Sequence, residues 1–231
     1  MKVAEFDKFA EEYLATHKSN LAVTGESPDY FARYKVVEIA RRLRAQGVTP
    51  KRVLDFGCGI GNSAPHLRAA FPDAEITAVD VSEKSLAVAR ARFPGAADFV
   101  AYDPNGAPPG PAEGYDLIFS ACVFHHIEAT EHEAIFRRLR ERLAPKGTLA
   151  IFEHNPVNPV SRYIVATCPF DENAILIPAG EFARRQRQAG FGRVGVTYTG
   201  FFPGPLKALR PLEPFMAKLP LGAQYYTLAQ A

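Results

Sequence analysis

Apolar residues recur first at helical spacing and then, further along the chain, in short β-rich runs; that change predicts the architecture. Phe6, Phe9, Tyr13 and Leu14 fall on one helical face. Ser27-Pro28, a capping residue before a first-turn proline, opens a second helix with apolar positions Tyr30, Tyr34, Val37 and Leu43. From Lys51 onward, β-rich runs alternate with amphipathic helices, the pattern of a parallel sheet covered on both faces. Strands are predicted over 52–56, 75–80, 98–102, 115–120 and 148–153. Between them fall a helix near Ser63 with Leu67 and Phe71, a helix after Ser82 with Leu86 and Ala89, and one opened by a Thr130-x-x-Glu133 capping box. Pro145-Lys146-Gly147 reads as the turn into the fifth strand. A last helix over 179–189 ends at Gly190, and two further β runs follow at 193–199 and 224–228. The apolar, proline-rich connection between those runs is too long for a tight hairpin. Prolines also cluster at 104–111 and 156–178, which are predicted as irregular loops.

Composition narrows the function classes. The chain has 231 residues, 47% of them hydrophobic, enough for one compact domain. Its 27 Lys and Arg against 25 Asp and Glu leave a net charge of +2, too weak a field to argue for nucleic acid or an anionic membrane as partner. Cys58, Cys122 and Cys168 form no CxxC pair, so neither a disulfide framework nor a thiolate zinc site is expected. No apolar run approaches the roughly 18 to 20 residues of a membrane span, and the start lacks a signal core. A cytoplasmic location is expected.

The chemistry begins at Val53-Leu54-Asp55-Phe56-Gly57-Cys58-Gly59-Ile60-Gly61-Asn62. An acid ends a buried strand, glycines follow on alternate positions, and a helix begins. Such glycines admit positive φ and let a bound molecule approach the backbone closely. Asp80 closes the next strand, where an open α/β sheet places the acid that binds ribose hydroxyls. A carboxylate at Asp55 would repel a pyrophosphate and attract an ammonium or sulfonium. The glycine spacing also departs from G-x-G-x-x-G, which argues against the alternative of an NAD-dependent oxidoreductase.

These residues resemble motif I of class I S-adenosylmethionine-dependent methyltransferases. Ile76-Thr77-Ala78-Val79-Asp80-Val81-Ser82 resembles the family's ribose-binding strand, and Phe99-Val100-Ala101-Tyr102-Asp103 the strand whose final acid faces adenine. Tyr115-Asp116-Leu117-Ile118-Phe119-Ser120, followed by His125-His126, resembles the fourth strand, and Leu143 to Leu149 the entry to the fifth. The resemblance implies S-adenosylmethionine as cofactor, held by Asp55, Gly57, Cys58, Gly59, Gly61, Asn62, Asp80, Val81, Asp103 and Ser120. Asp103 also reads as a plain turn-initiating acid, because Pro104-Asn105-Gly106 follows it. The implied fold is α/β, a Rossmann-like doubly wound sheet of seven runs, mostly parallel with an antiparallel final strand. A single domain is expected: N-terminal helices over 1–48, a cofactor-binding core over 49–155, and a substrate-side region over 156–231.

Methyl transfer needs a positioned nucleophile and, for a hydroxyl or ammonium, a base. His125, His126 and His154 lie past strand ends and are the catalytic candidates, with packing or strand capping as the competing role for each. Tyr13, Tyr30, Asn155 and Arg162 are candidates to contact substrate, and no metal is expected. The acceptor is expected to be a small molecule, with oxygen favoured over nitrogen because no Asn-Pro-Pro-Tyr type signature borders the cleft. The apolar stretch over 201–221 invites a hydrophobic lid, a lipid-linked substrate or peripheral membrane contact. A non-catalytic cofactor-binding scaffold is the alternative from outside the enzymes.

Overall fold

The computed structural model describes residues 24–231, so Tyr13 and the first expected helix lie outside the described residues. Helix α1 (Pro28–Ala45) starts as its sequence predicts: Ser27 accepts the Tyr30 amide and Pro28 occupies the first turn. Its buried face is Val36, Ile39, Ala40 and Leu43, whereas Val37 is 52% exposed, one position off the expected stripe.

The core follows as β1 (Arg52–Phe56), α2 (Ala64–Ala70), β2 (Glu75–Asp80), α3 (Glu83–Arg92), β3 (Asp98–Ala101), β4 (Tyr115–Ala121), α4 (His132–Glu141) and β5 (Leu143–His154). After it come α5 (Pro159–Thr167), α6 (Ala179–Gln188), β6 (Arg193–Thr199), the short α7 (Glu213–Met216) and β7 (Gln224–Gln230). The seven strands form one sheet in the order β3-β2-β1-β4-β5-β7-β6. Strands β1 to β5 pair in parallel, and β7 runs antiparallel between β5 and β6. Strand order reverses between β1 and β4, and their carboxyl ends open the crevice where such sheets bind ligands.

Each face of the sheet is sealed. On one, Val36, Ile39 and Leu43 of α1 pack with Val53, Leu67, Phe119, Phe152 and Tyr226. On the other, Leu54, Ile118, Leu149 and Tyr225 pack against Phe136 of α4 and Phe182 of α6. Central strands buried on both faces account for the near-continuous apolar runs in the sequence.

Three expectations are corrected. The capping box at Thr130 does not form: α4 starts at His132 after Glu131, with no side-chain cap. The His132 ring explains the shift, because its Nε2 donates to the carbonyls of Phe124 and Ile127 at 3.1 and 3.0 Å and fixes the helix start there. Pro145-Lys146-Gly147 lies inside β5 rather than before it, opposite a register irregularity between Tyr115 and Leu117. The stretch over 156–178 is not wholly irregular. It holds α5, whose cap Asn158 accepts the amides of Val160 and Ser161 before Pro159 sets the first turn.

Candidate active site

The crevice is a cleft of about 320 Å³. One half is built by the turn after β1 and the end of β2. Asp55, 2% exposed, is the penultimate residue of β1, and its Oδ2 is buried without a hydrogen-bond partner. Burial, and then the neighbouring Asp80 charge, push its carboxyl up to about 7. Asp80 fastens the turn by accepting the Gly59 amide at 2.8 Å on one oxygen and the Ser82 amide at 2.9 Å on the other. Gly57 and Gly59 both have positive φ, +74° and +52°. A Cβ on Gly57 would lie 2.5 Å from Val123 Cγ2, whereas one on Gly59 would meet nothing within 4 Å. Gly57 is therefore required by packing, and Gly59 leaves its surroundings open to a ligand. Cys58, Asn62 and Val81 also line this half.

The other half lies past β4 and β5. Cys122 follows β4 at φ 60°, the one described non-glycine residue with positive φ. Its sulfur receives hydrogen bonds from the Lys35 ammonium at 3.3 Å and the Gln224 amide at 3.5 Å. Burial pushes the Cys122 thiol up, but the charges of Lys35 and His154 outweigh it and bring the group to about 6. Tyr30 and Tyr34 of α1 stack at 6.1 Å, and the Arg210 guanidinium sits 4.7 Å over the Tyr30 ring while pairing with Glu26 at 2.6 Å. The Tyr34 hydroxyl hydrogen-bonds Thr199. Phe201, Phe202 and Pro203 close this end. They are held by Glu213, whose carboxylate accepts the amides of Gly200, Phe201 and Phe202 at 3.2 to 3.3 Å.

The histidines meet at the floor of this half. Glu153, 1% exposed, accepts the Val123 and Phe124 amides on Oε1 at 3.1 and 2.8 Å, and its Oε2 lies 2.6 Å from His125 Nδ1. The far nitrogen of His125 faces Asp171, which also lies beside His126. Burial lowers the His126 imidazole, while for His125 the cost of burial is outweighed by the Glu153 and Asp171 carboxylates, which raise it to about 10. The His154 ring sits 5.3 Å from that of His125. All three imidazoles line the cleft.

Several sequence candidates lie elsewhere. Asp103 is exposed, outside the cleft, and its carboxylate accepts the Asn105 amide at 2.9 Å, so the Pro104-Asn105-Gly106 turn has captured it. Ser120 is fully buried in β4 and faces no cleft. Gly61 meets Ala89 and Phe99 rather than the cleft: a Cβ there would lie 2.9 and 3.1 Å from them. Asn155 donates to the carbonyls of Pro220 and Gly222 at 3.1 and 2.8 Å, a structural tie instead of a substrate contact. Arg162 is exposed on α5 and outside the cleft. Lys35 and Cys122 carry no sequence signal as cleft residues, and Asp171 reads in the sequence only as a candidate partner of Arg162. Glu153 is legible as part of the Glu153-His154-Asn155 run at the carboxyl end of the fifth strand, but its pairing with His125 is not.

Residues 53–147 match a family model described as a methyltransferase domain. A trans-aconitate 2-methyltransferase of Variovorax paradoxus is 30% identical over 233 residues, covering 88% of this chain and 86% of that protein. The chain belongs to the class I S-adenosylmethionine-dependent methyltransferases. Its cofactor is S-adenosylmethionine. The unpartnered Asp55 oxygen and the open space at Gly59 fit that molecule, the first as a counter-charge for its ammonium and the second as room beside its backbone-facing atoms. Another trans-aconitate 2-methyltransferase, from Paracidovorax citrulli, is 37% identical over 122 residues, 51% of this chain. That match, and one from Acidovorax, span 46% and 40% of the relatives' lengths, under half in each case. A Thermotoga maritima structure described as a possible histamine N-methyltransferase shares the fold with a TM-score of 0.68 and 18% identity, covering 98% of both chains. Among the described residues, no helix is long and apolar enough to cross a membrane.

Proposed function

We propose that this methyltransferase esterifies a small organic acid, moving the methyl group to a carboxylate oxygen. The observation that carries this reading is Lys35: the residue is 7% exposed, lines the half of the cleft past β4 and β5 where the acceptor would sit, and among the described residues has the Cys122 sulfur at 3.3 Å but no carboxylate as partner. The sulfur takes one of the three ammonium hydrogens, and the donors left over suit an anionic oxygen ligand. The two relatives named trans-aconitate 2-methyltransferase support an acid as acceptor.

When bound, S-adenosylmethionine supplies a methyl carbon made electrophilic by its sulfonium. The chain's residues supply placement. Asp55 would hold the ammonium of the cofactor's amino-acid end, and Asp80, which keeps the Gly59 amide fixed, would accept from the ribose hydroxyls. Lys35 and His154 hold the acceptor carboxylate, and Tyr30 with Phe201 and Phe202 excludes water from the line of transfer. A carboxylate carries no proton to remove, so orientation replaces base catalysis. Were the acceptor a hydroxyl, His154 would be the group to take its proton.

The test is a panel of di- and tricarboxylic acids, phenols and primary amines, incubated with methyl-labelled S-adenosylmethionine and read by mass. Methyl esters are expected. Products from amines alone overturn the oxygen assignment, and cofactor binding without turnover of any compound favours the scaffold reading.

A further inference from the structure

At the floor of the acceptor half, imidazole and carboxylate atoms are spaced for an ion between them. His125 Nε2 is buried, has no hydrogen-bond partner, and stands 3.4 Å from Asp171 Oδ1. His126 Nε2 stands 3.2 Å from the same oxygen, and the three atoms lie within 4.8 Å of one another. A charge-assisted N–H···O bond is shorter, about 2.7 to 2.9 Å. Ligands at the corners of a tetrahedron with zinc-like bond lengths are separated by roughly 3.3 to 3.5 Å.

The opposite side of the same ring shows the contrast. His125 Nδ1 lies 2.6 Å from Glu153 Oε2, and Glu153 is itself fixed by two backbone amides. A carboxylate on one imidazole nitrogen, aiming the other at a cation, is the usual support of a metal-ligating histidine. We propose that His125 Nε2, His126 Nε2 and Asp171 Oδ1 bind one divalent first-row transition ion, best matched by Zn²⁺, with Glu153 as the positioning residue. Two imidazoles and one carboxylate disfavour Mg²⁺ and Ca²⁺, which take oxygen ligands. All three ligands line the cleft, so the ion presents positive charge to an acceptor oxygen. That last role rests on the organic-acid reading; the binding itself does not.

The experiment strips the purified full chain with a chelator, then titrates Zn²⁺ by calorimetry and records the visible spectrum with Co²⁺. One ion per chain and the ligand-field bands of a low-coordinate Co²⁺ are expected. His126→Ala and Asp171→Asn each lose more than about 100-fold in Zn²⁺ affinity, and Glu153→Gln loses about 10- to 100-fold. S-adenosylhomocysteine binding by the His126 and Asp171 variants, whose side chains are partly exposed, reports that they fold. Absence of saturable one-to-one binding, or undiminished binding in the His126→Ala, Asp171→Asn double variant, overturns the proposal. A protein that binds Zn²⁺ but esterifies no acid refutes the function and leaves the metal site standing; esterification without Zn²⁺ binding does the reverse.

Discussion

The Lys35 ammonium, from α1, lies 3.3 Å from the sulfur of Cys122, which follows β4 in a left-handed backbone conformation. The pair joins the helical layer to the sheet at the half of the cleft past β4 and β5. With the thiol at about 6, Cys122 is mostly thiolate at pH 7. Alkylation by iodoacetamide should follow a midpoint near that pH, and Lys35→Met should move it above the ordinary thiol range of about 8 to 9. Mass mapping of the modified residue at a series of pH values checks this.

Asp55 should trade stability against cofactor affinity. Its folded value, near 7, exceeds the usual 3.8, so the folded chain holds the proton more tightly than the unfolded one. Stability from this group is present at low pH and is lost as pH rises from about 4 to 7. Asp55→Asn should therefore stabilise the ligand-free protein at pH 8, by at most on the order of 4 kcal/mol, and should leave it unchanged near pH 4. The same variant should lose the stabilisation by S-adenosylmethionine, which for wild type at 100 times Kd is about 2.7 kcal/mol. Paired melting curves with and without cofactor read both effects.

Two glycines in one turn should fail differently. Gly57→Ala drives a methyl group to 2.5 Å from Val123 and should unfold or strongly destabilise the chain. Gly59→Ala meets open space, bears only the left-handed backbone cost of about 1 to 2 kcal/mol, and should fold while binding cofactor poorly. Chemical denaturation and calorimetric binding separate the two.

Glu213→Ala should act on the acceptor alone. It releases the amides of Gly200, Phe201 and Phe202, which line or adjoin the far end of the cleft. We expect kcat/KM for the acceptor to fall about tenfold or more, with cofactor Kd unchanged. An equal loss in cofactor binding would contradict this division of the cleft.

Asn155→Ala should behave as a stability variant. Its amide holds the carbonyls of Pro220 and Gly222, and leaving them unpaired should cost about 1 to 3 kcal/mol. The measurement is the urea midpoint, with cofactor affinity preserved.

The sheet was legible because its signals are local. Buried central strands read as apolar runs, Ser27 and Ser82 cap the helices their positions announce, and the Asp55 turn carries its own glycines. The half of the cleft past β4 and β5 was legible only in its individual residues, His125, His126, His154 and Tyr30, and not in their partners, because those are assembled across the chain. Asp171 reaches His125 and His126 only after β5 and α5 fold back. Lys35 meets Cys122 across two layers, and nothing in a sequence announces a cysteine at positive φ. Asp103 shows the converse: a family pattern placed it in the cleft, and the local turn chemistry of Asn105 and Gly106 holds it outside.

The stretch over 200–223 leaves and re-enters the sheet at neighbouring points, since Thr199 and Gln224 are paired in the β6–β7 ladder and Ala223 donates to Gly200 at 3.1 Å. Its stems are thus already clamped together, and a replacement of different length would incur little additional closure entropy. The segment is in effect a cassette on a closed stem: a graft that keeps the anchors Arg210, Glu213, Pro220 and Gly222 tests whether this stretch sets acceptor preference while the cofactor half stays as it is.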